Sequence, residues 1–206
     1  MIDFTAVKEI LDVCLRLDSK GLVNAYEGNV SIKRDGYLYI TPASKNKAFL
    51  KEEMICILEA DSLKQVGGIF PPSSEMLLHT LSYQARPDIA GVIHCHAPYL
   101  TAFALCNKPV ESKAYPEMMG NFKKIQVAPY GRPGTPAIFD EARELVKKND
   151  VVLLANHGVL AVGKDIWTVM NKTEACESIA KVLTLAEQIG KPVNLSDDEC
   201  QFFIAK

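Results

Sequence analysis

The chain has 206 residues, 48% apolar and 23% charged, with 23 lysines and arginines against 25 aspartates and glutamates. That is enough apolar material for a real core, and the net charge of -2 argues against nucleic acid or an anionic membrane as main partner. The longest apolar runs, such as 151–155, fall far short of the ~18 residues of a membrane span. Met1-Ile2-Asp3-Phe4 also lacks the basic and apolar regions of a signal peptide. Six widely scattered cysteines without a CxxC pair read as reduced thiols of a cytoplasmic protein.

Phe4, Val7, Ile10, Leu11, Cys14 and Leu17 recur at helical spacing, so a first helix is predicted over 4–20, stopped by Gly21. Segments 29–33 and 37–41 read as a hairpin around Arg34-Asp35-Gly36, and 54–59 as a third strand. Pro71-Pro72 ends an extended segment, after which Ser73 or Ser74 caps a helix reaching 84. Following a break at Arg86-Pro87-Asp88, 90–95 is an apolar run suited to a buried strand, and Pro98 opens a helix to 106. A short strand is predicted at 125–128, a helix from Thr135-Pro136 to 148 and a second buried strand at 151–155. Asp165 starts a long helix to 189, stopped by Gly190 and Pro192, and Ser196 to Glu199 fits a capping box for a last short helix. Segments 42–51 and 111–121 read as loops. With no linker, repeat or low-complexity tract, the expectation is a single domain over 1–206 of α/β class, with helices packed on a mixed sheet.

The four histidines carry the first chemical signal. His94 and His96 lie two apart in an extended run, so they share a face. His157 ends the other apolar strand; if the two strand ends adjoin, three imidazoles meet, which is the usual donor set of a catalytic zinc and accepts other divalent ions. A lone HxH is equally compatible with ordinary hydrogen-bonded histidines. His79 lies four residues after Glu75 on the same helix and is read as a structural or supporting residue. Ser73-Ser74-Glu75 places two hydroxyls and free N–H groups at a helix start, an arrangement that suits an anion or plain capping. Gly28-Asn29 is a second anion candidate, and Ala43-Ser44 adds a hydroxyl at a strand end. Glu75 beside a metal would serve as a base, and is otherwise an ordinary first-turn glutamate.

Taken together and in this order, Gly28-Asn29-Val30-Ser31, Ile40-Thr41-Pro42, Pro72-Ser73-Ser74-Glu75, His94-Cys95-His96, Ala128-Pro129-Tyr130 and Asn156-His157-Gly158 resemble the class II aldolase/adducin family, in particular its fuculose-phosphate aldolase branch. The resemblance implies a three-layer αβα fold with a mostly antiparallel central sheet and a homotetramer with active sites between subunits. It implies that His94, His96 and His157 hold Zn²⁺ (or Mn²⁺ or Co²⁺), with Glu75 as acid/base and possible ligand. It further implies that Gly28, Asn29, Ala43, Ser44, Ser73 and Ser74 surround the phosphate of a small phosphorylated ketose. Tyr115 matches the family's tyrosine that reaches a neighbouring subunit's site, and Glu117 is a further carboxylate near it. The implied reaction is retro-aldol cleavage of a ketose 1-phosphate to dihydroxyacetone phosphate and an aldehyde. Alternatives on the same fold are a sugar-phosphate 4-epimerase, a methylthioribulose-1-phosphate dehydratase and a non-catalytic adducin-like domain. Two departures stand out: Ala43-Ser44 replaces the branch's Thr-Gly pair, and the surroundings of Tyr115 differ.

Overall fold

One eight-stranded sheet crosses the computed structural model, which describes residues 2–204. Met1, Ala205 and Lys206, at the ends of the expected 1–206 domain, lie outside the described residues. The strands are β1 (Asn29–Arg34), β2 (Tyr37–Ile40), β3 (Cys56–Glu59), β4 (Gln65–Gly67), β5 (Gly91–Cys95), β6 (Val127–Ala128), β7 (Val151–Leu154) and β8 (Gly158–Gly163). Their order is β4-β3-β2-β1-β5-β8-β7-β6. Every neighbouring pair is antiparallel except β6 with β7. Helices α1 (Phe4–Ser19), α3 (Pro98–Leu105) and α6 (Ile166–Ile189) share one core with the sheet, and α2 (Met76–Ala85) and α5 (Ala137–Val146) share a second on its other face. Two short helices, α4 (Pro116–Asn121) and α7 (Asp197–Ile204), pack on each other. The result is the expected three-layer αβα arrangement.

Strand alternation decides what each layer receives. Val30 and Ile32 of β1 and Ile93 and Cys95 of β5 enter the core under α1, α3 and α6. Val92 of β5 enters the α2–α5 core. The same alternation sends Asn29, Ser31 and His94 toward α2, and β1–β5 pairing sets Asn29 opposite His94.

The predicted hairpin forms with Asp35 and Gly36 at φ 50° and 80°, the two left-handed positions of a tight two-residue turn. Other boundaries differ. The third strand starts at Cys56, because 52–54 coil into a short 3₁₀ turn. Helix α2 starts at Met76 rather than at the serines, since Ser73 Oγ and C=O accept from Glu75 N and Met76 N in a turn ahead of it. Only Val127–Ala128 of the predicted 125–128 strand pairs with β7, while Ile125 bridges to Val110. Strands β4 and β8 were not predicted, nor were α4 in the supposed loop 111–121 and the 3₁₀ turn Lys47–Phe49 in the supposed loop 42–51. All six cysteines are free, five of them buried and Cys106 exposed.

Candidate metal centre

Three loop segments are tied together beside the C-terminal end of β5. Thr41 N donates to Val30 O at 3.0 Å, and Val30 N donates to Thr41 Oγ1 at 3.2 Å. Ser73 N donates to Thr41 O and Ala43 N to Pro71 O, both at 3.1 Å, around a bridge between Pro42 and Pro72. Gly28, Asn29, Ala43, Ser44, Ser73, Ser74 and Glu75 thereby line one cleft of about 440 Å³ with His96 and His157. Gly28 sits at φ 81°, and a Cβ there would lie 2.5 Å from Val23 Cγ1 and 3.3 Å from His94 O. Ser44 adopts φ 52°, a left-handed conformation that a glycine would accept without strain.

His94 and His96 come from the end of β5, and His157 from the turn joining β7 to β8, where Asn156 takes φ 57°. Because β8 pairs with β5, the turn is brought against the two histidines. The ring nitrogens available from the three histidines lie within 4.8 Å of one another. His94 is fully buried, and its Nδ1 meets the carbonyl of Val159 at 2.8 Å. A carbonyl only accepts, so Nδ1 carries the proton and Nε2 presents its lone pair. His96 Nδ1 lies 3.4 Å from Glu27 Oε1. The two Nε2 atoms are 3.2 Å apart. That spacing matches a tetrahedral ion, whose Zn–N bonds of 2.0–2.1 Å separate its nitrogens by about 3.3 Å. The donor set therefore has the spacing that a divalent cation needs.

Glu75 closes the fourth side. Its Oε2 is 3.3 Å from His94 Nε2, and its Oε1 is 3.3 Å from His157 Nε2. Oε1 and His157 Nδ1 are buried atoms without a hydrogen-bond partner. Burial pushes the His94 and His157 imidazoles toward the neutral, ligating form.

Behind Glu75 runs a buried chain of hydrogen bonds. Asn29 Nδ2 donates to Glu75 Oε2 at 2.8 Å. That leaves Asn29 Oδ1 to accept from His79 Nε2. His79 Nδ1 then accepts from Ser31 Oγ at 2.7 Å, and Ser31 Oγ lies 2.9 Å from Tyr83 OH. Burial drops the His79 pKa to about 3, so this ring is neutral as the chain of bonds requires. His79 does not join the histidine group; it holds Asn29, which holds Glu75.

Tyr115 does not line this cleft: it caps α4 and is half-buried against the α1–α3–α6 core, while Glu117 is exposed. Tyr26, Pro133, Gly134 and two charged lining residues, Glu27 and Lys47, escaped the sequence reading; the charged pair matters most for the chemistry. Glu27 lies in a loop and Lys47 in a short 3₁₀ turn, neither with a spacing signal; only the neighbouring His96 and the burial of Lys47 reveal them. A larger hollow of about 640 Å³, lined by Arg86, Asp150 and Lys172 among others, holds none of the predicted site residues. Arg86 and Lys172 there are already paired with Asp150.

Known proteins share this arrangement of elements. The family model for the Class II Aldolase and Adducin N-terminal domain matches residues 8–184. An L-fuculose phosphate aldolase of Methanococcus vannielii is 35% identical over 178 residues, covering 85% of this chain and 94% of its own. One of Escherichia coli K12 is 28% identical over 200 residues, covering 97% and 92%. A solved L-fuculose 1-phosphate aldolase superposes with a TM-score of 0.88 at 29% identity, covering 100% of this chain and 97% of its own. A sequence match across most of the chain and a superposition across all of it lead to one conclusion: the chain belongs to the class II aldolase and adducin family.

Proposed function

We propose that the protein is a metal-dependent class II aldolase that cleaves a ketose 1-phosphate of the L-fuculose 1-phosphate kind into dihydroxyacetone phosphate and an aldehyde. The observation that carries this reading is the meeting of three imidazole rings with a carboxylate at the edge of a cleft rich in hydroxyl and amide donors. Aldolases are also what the similar proteins are named.

In this reading His94, His96 and His157 hold Zn²⁺, or Mn²⁺ or Co²⁺, with Glu75 as a further ligand while no substrate is present. A divalent cation there supplies Lewis acidity to the substrate carbonyl and serves as the electron sink in place of a lysine Schiff base. The remaining work belongs to side chains. Gly28, Asn29, Ala43, Ser44, Ser73 and Ser74 take the phosphate and hold the C3–C4 bond in register with Glu75. As that bond breaks, the C4 hydroxyl loses its proton and C4 becomes the aldehyde, while the electron pair stays on C3. Glu75 delivers the proton to C3, and removes it in the condensation direction. Asn29 anchors one carboxylate oxygen, leaving Oε1 to do so. Tyr115 serves the aldehyde oxygen of a neighbouring subunit, a role supported by its distance from the cleft lining of its own chain and by the homotetramer the resemblance implies. Six free thiols support a cytoplasmic protein, and the one continuous sheet supports a single domain.

The test is an assay of the metal-loaded protein on a panel of phosphorylated ketoses, read as free aldehyde, which an epimerase would not release. Chelator and His94→Ala should each remove both metal and turnover. Glu75→Gln should keep metal while losing, by a typical general-acid/base factor of about 10²–10⁴, proton exchange at C3 of dihydroxyacetone phosphate. Full cleavage by metal-stripped protein would rule the reading out.

A further inference from the structure

Lys47 opens the 3₁₀ turn Lys47–Phe49 and is only 2% exposed. Its Nζ donates to Lys45 O at 2.8 Å, which uses one of three N–H groups. No carboxylate lies within ion-pair distance of it among the described residues. A buried ammonium with one carbonyl partner is costly unless something else completes its shell. The same side chain lines the cleft with Ser44, Ser73 and Asn29, and no arginine or other lysine lines it. Glu27 and Glu75 do line it, so a phosphate entering meets two carboxylates and, from the protein, a single cation.

We propose that Lys47 is the charge-bearing residue of the oxyanion pocket, its ammonium donating to the phosphate of the substrate and setting affinity for phosphorylated over unphosphorylated ketoses. This rests on the reading of the cleft as a phosphate site and adds a residue to it. Desolvation also lowers the Lys47 pKa, and an entering dianion would oppose that shift. Asn46, whose side chain accepts from Ala48 N at 2.9 Å, holds the turn that aims the lysine.

The experiment compares the metal-loaded wild type with Lys47→Met and Lys47→Arg. Inorganic phosphate binding is measured by calorimetry, and kcat and KM are measured on a phosphorylated ketose and on its unphosphorylated counterpart. Loss of a charge-assisted hydrogen bond should weaken phosphate binding and raise KM for the phosphorylated ketose by about 10- to 100-fold in Lys47→Met. Metal content and turnover of the unphosphorylated ketose should stay the same, and Lys47→Arg should recover part of the loss. If the wild type binds phosphate and Lys47→Met binds it equally well, the Lys47 assignment falls while the phosphate cleft stands. An equal loss on both ketoses would make Lys47 structural and overturn the assignment too. If the wild type binds no phosphate and cleaves no phosphorylated ketose, the cleft reading itself fails.

Discussion

Gly158 is the residue on which the histidine group most visibly depends. A Cβ built there would lie 2.7 Å from Cys95 O and 2.7 Å from His96 Cδ2, one a fixed backbone atom and the other the ring of a candidate ligand. Gly158→Ala should therefore displace His96, lowering zinc affinity by about 10- to 100-fold, the usual effect of disturbing a ligand's support. Competition with a chromophoric chelator measures it, and wild-type affinity in the variant would contradict the geometry. At this scale the sequence was informative where chemistry and spacing coincided, as in His94-x-His96 and Asn156-His157-Gly158. Glu27 and Lys47 were invisible because a charged loop residue normally faces solvent. His79 was read as supporting, and its contacts with Ser31 and Asn29 agree, but the partners came only with the β1–α2 packing.

Among the elements, α3 has an unusual cap. Its N-cap residue Ala97 makes no side-chain hydrogen bond. Instead Glu177 of α6 reaches across and accepts from Tyr99 N and Leu100 N, both at 2.9 Å. The carboxylate sits where the helix dipole favours negative charge, against a burial that pushes its pKa up. Because α3 starts just after His96, the cap also fixes the chain leaving the histidine group. Glu177→Ala should cost about 1–3 kcal/mol by leaving two buried donors unpaired. Urea unfolding measures the loss, and an unchanged midpoint with an unchanged slope would show that the cap contributes nothing. Amphipathic elements such as α1 were legible because one face is apolar and the other is not. Strand β8 was not, because all six of its residues are buried and its apolar run shows no period. Helix α4 was hidden by its length, since six residues show too little periodicity to read.

For the whole molecule, burial of neutral imidazoles ties stability to pH. His79 titrates near 6.5 in the unfolded chain and at about 3 in the folded one. His94 is also held well below its ordinary value by burial. A depressed folded pKa gives stability that is complete above pH 6.5 and is lost as pH falls from there toward 3. The slope is about 1.4 kcal/mol per pH unit for each such histidine. The urea midpoint of chelator-treated protein should thus fall between pH 7 and pH 5, and His79→Gln should flatten the fall by one proton. A midpoint independent of pH would mean that these rings titrate alike in the folded and unfolded chain.

The β5–β8 pairing has a mechanical meaning as well. His94 and His157 are distant along the chain, yet one ion would bridge them and so pin the middle strands from the end where the sheet opens into loops. Such a clasp acts as a removable cross-link: it restricts the unfolded chain as a disulfide does, but it opens to a chelator rather than to a reductant. A cell that starves this protein of its ion would then lose more than turnover, since the unclasped chain would also be the one most readily unravelled and degraded.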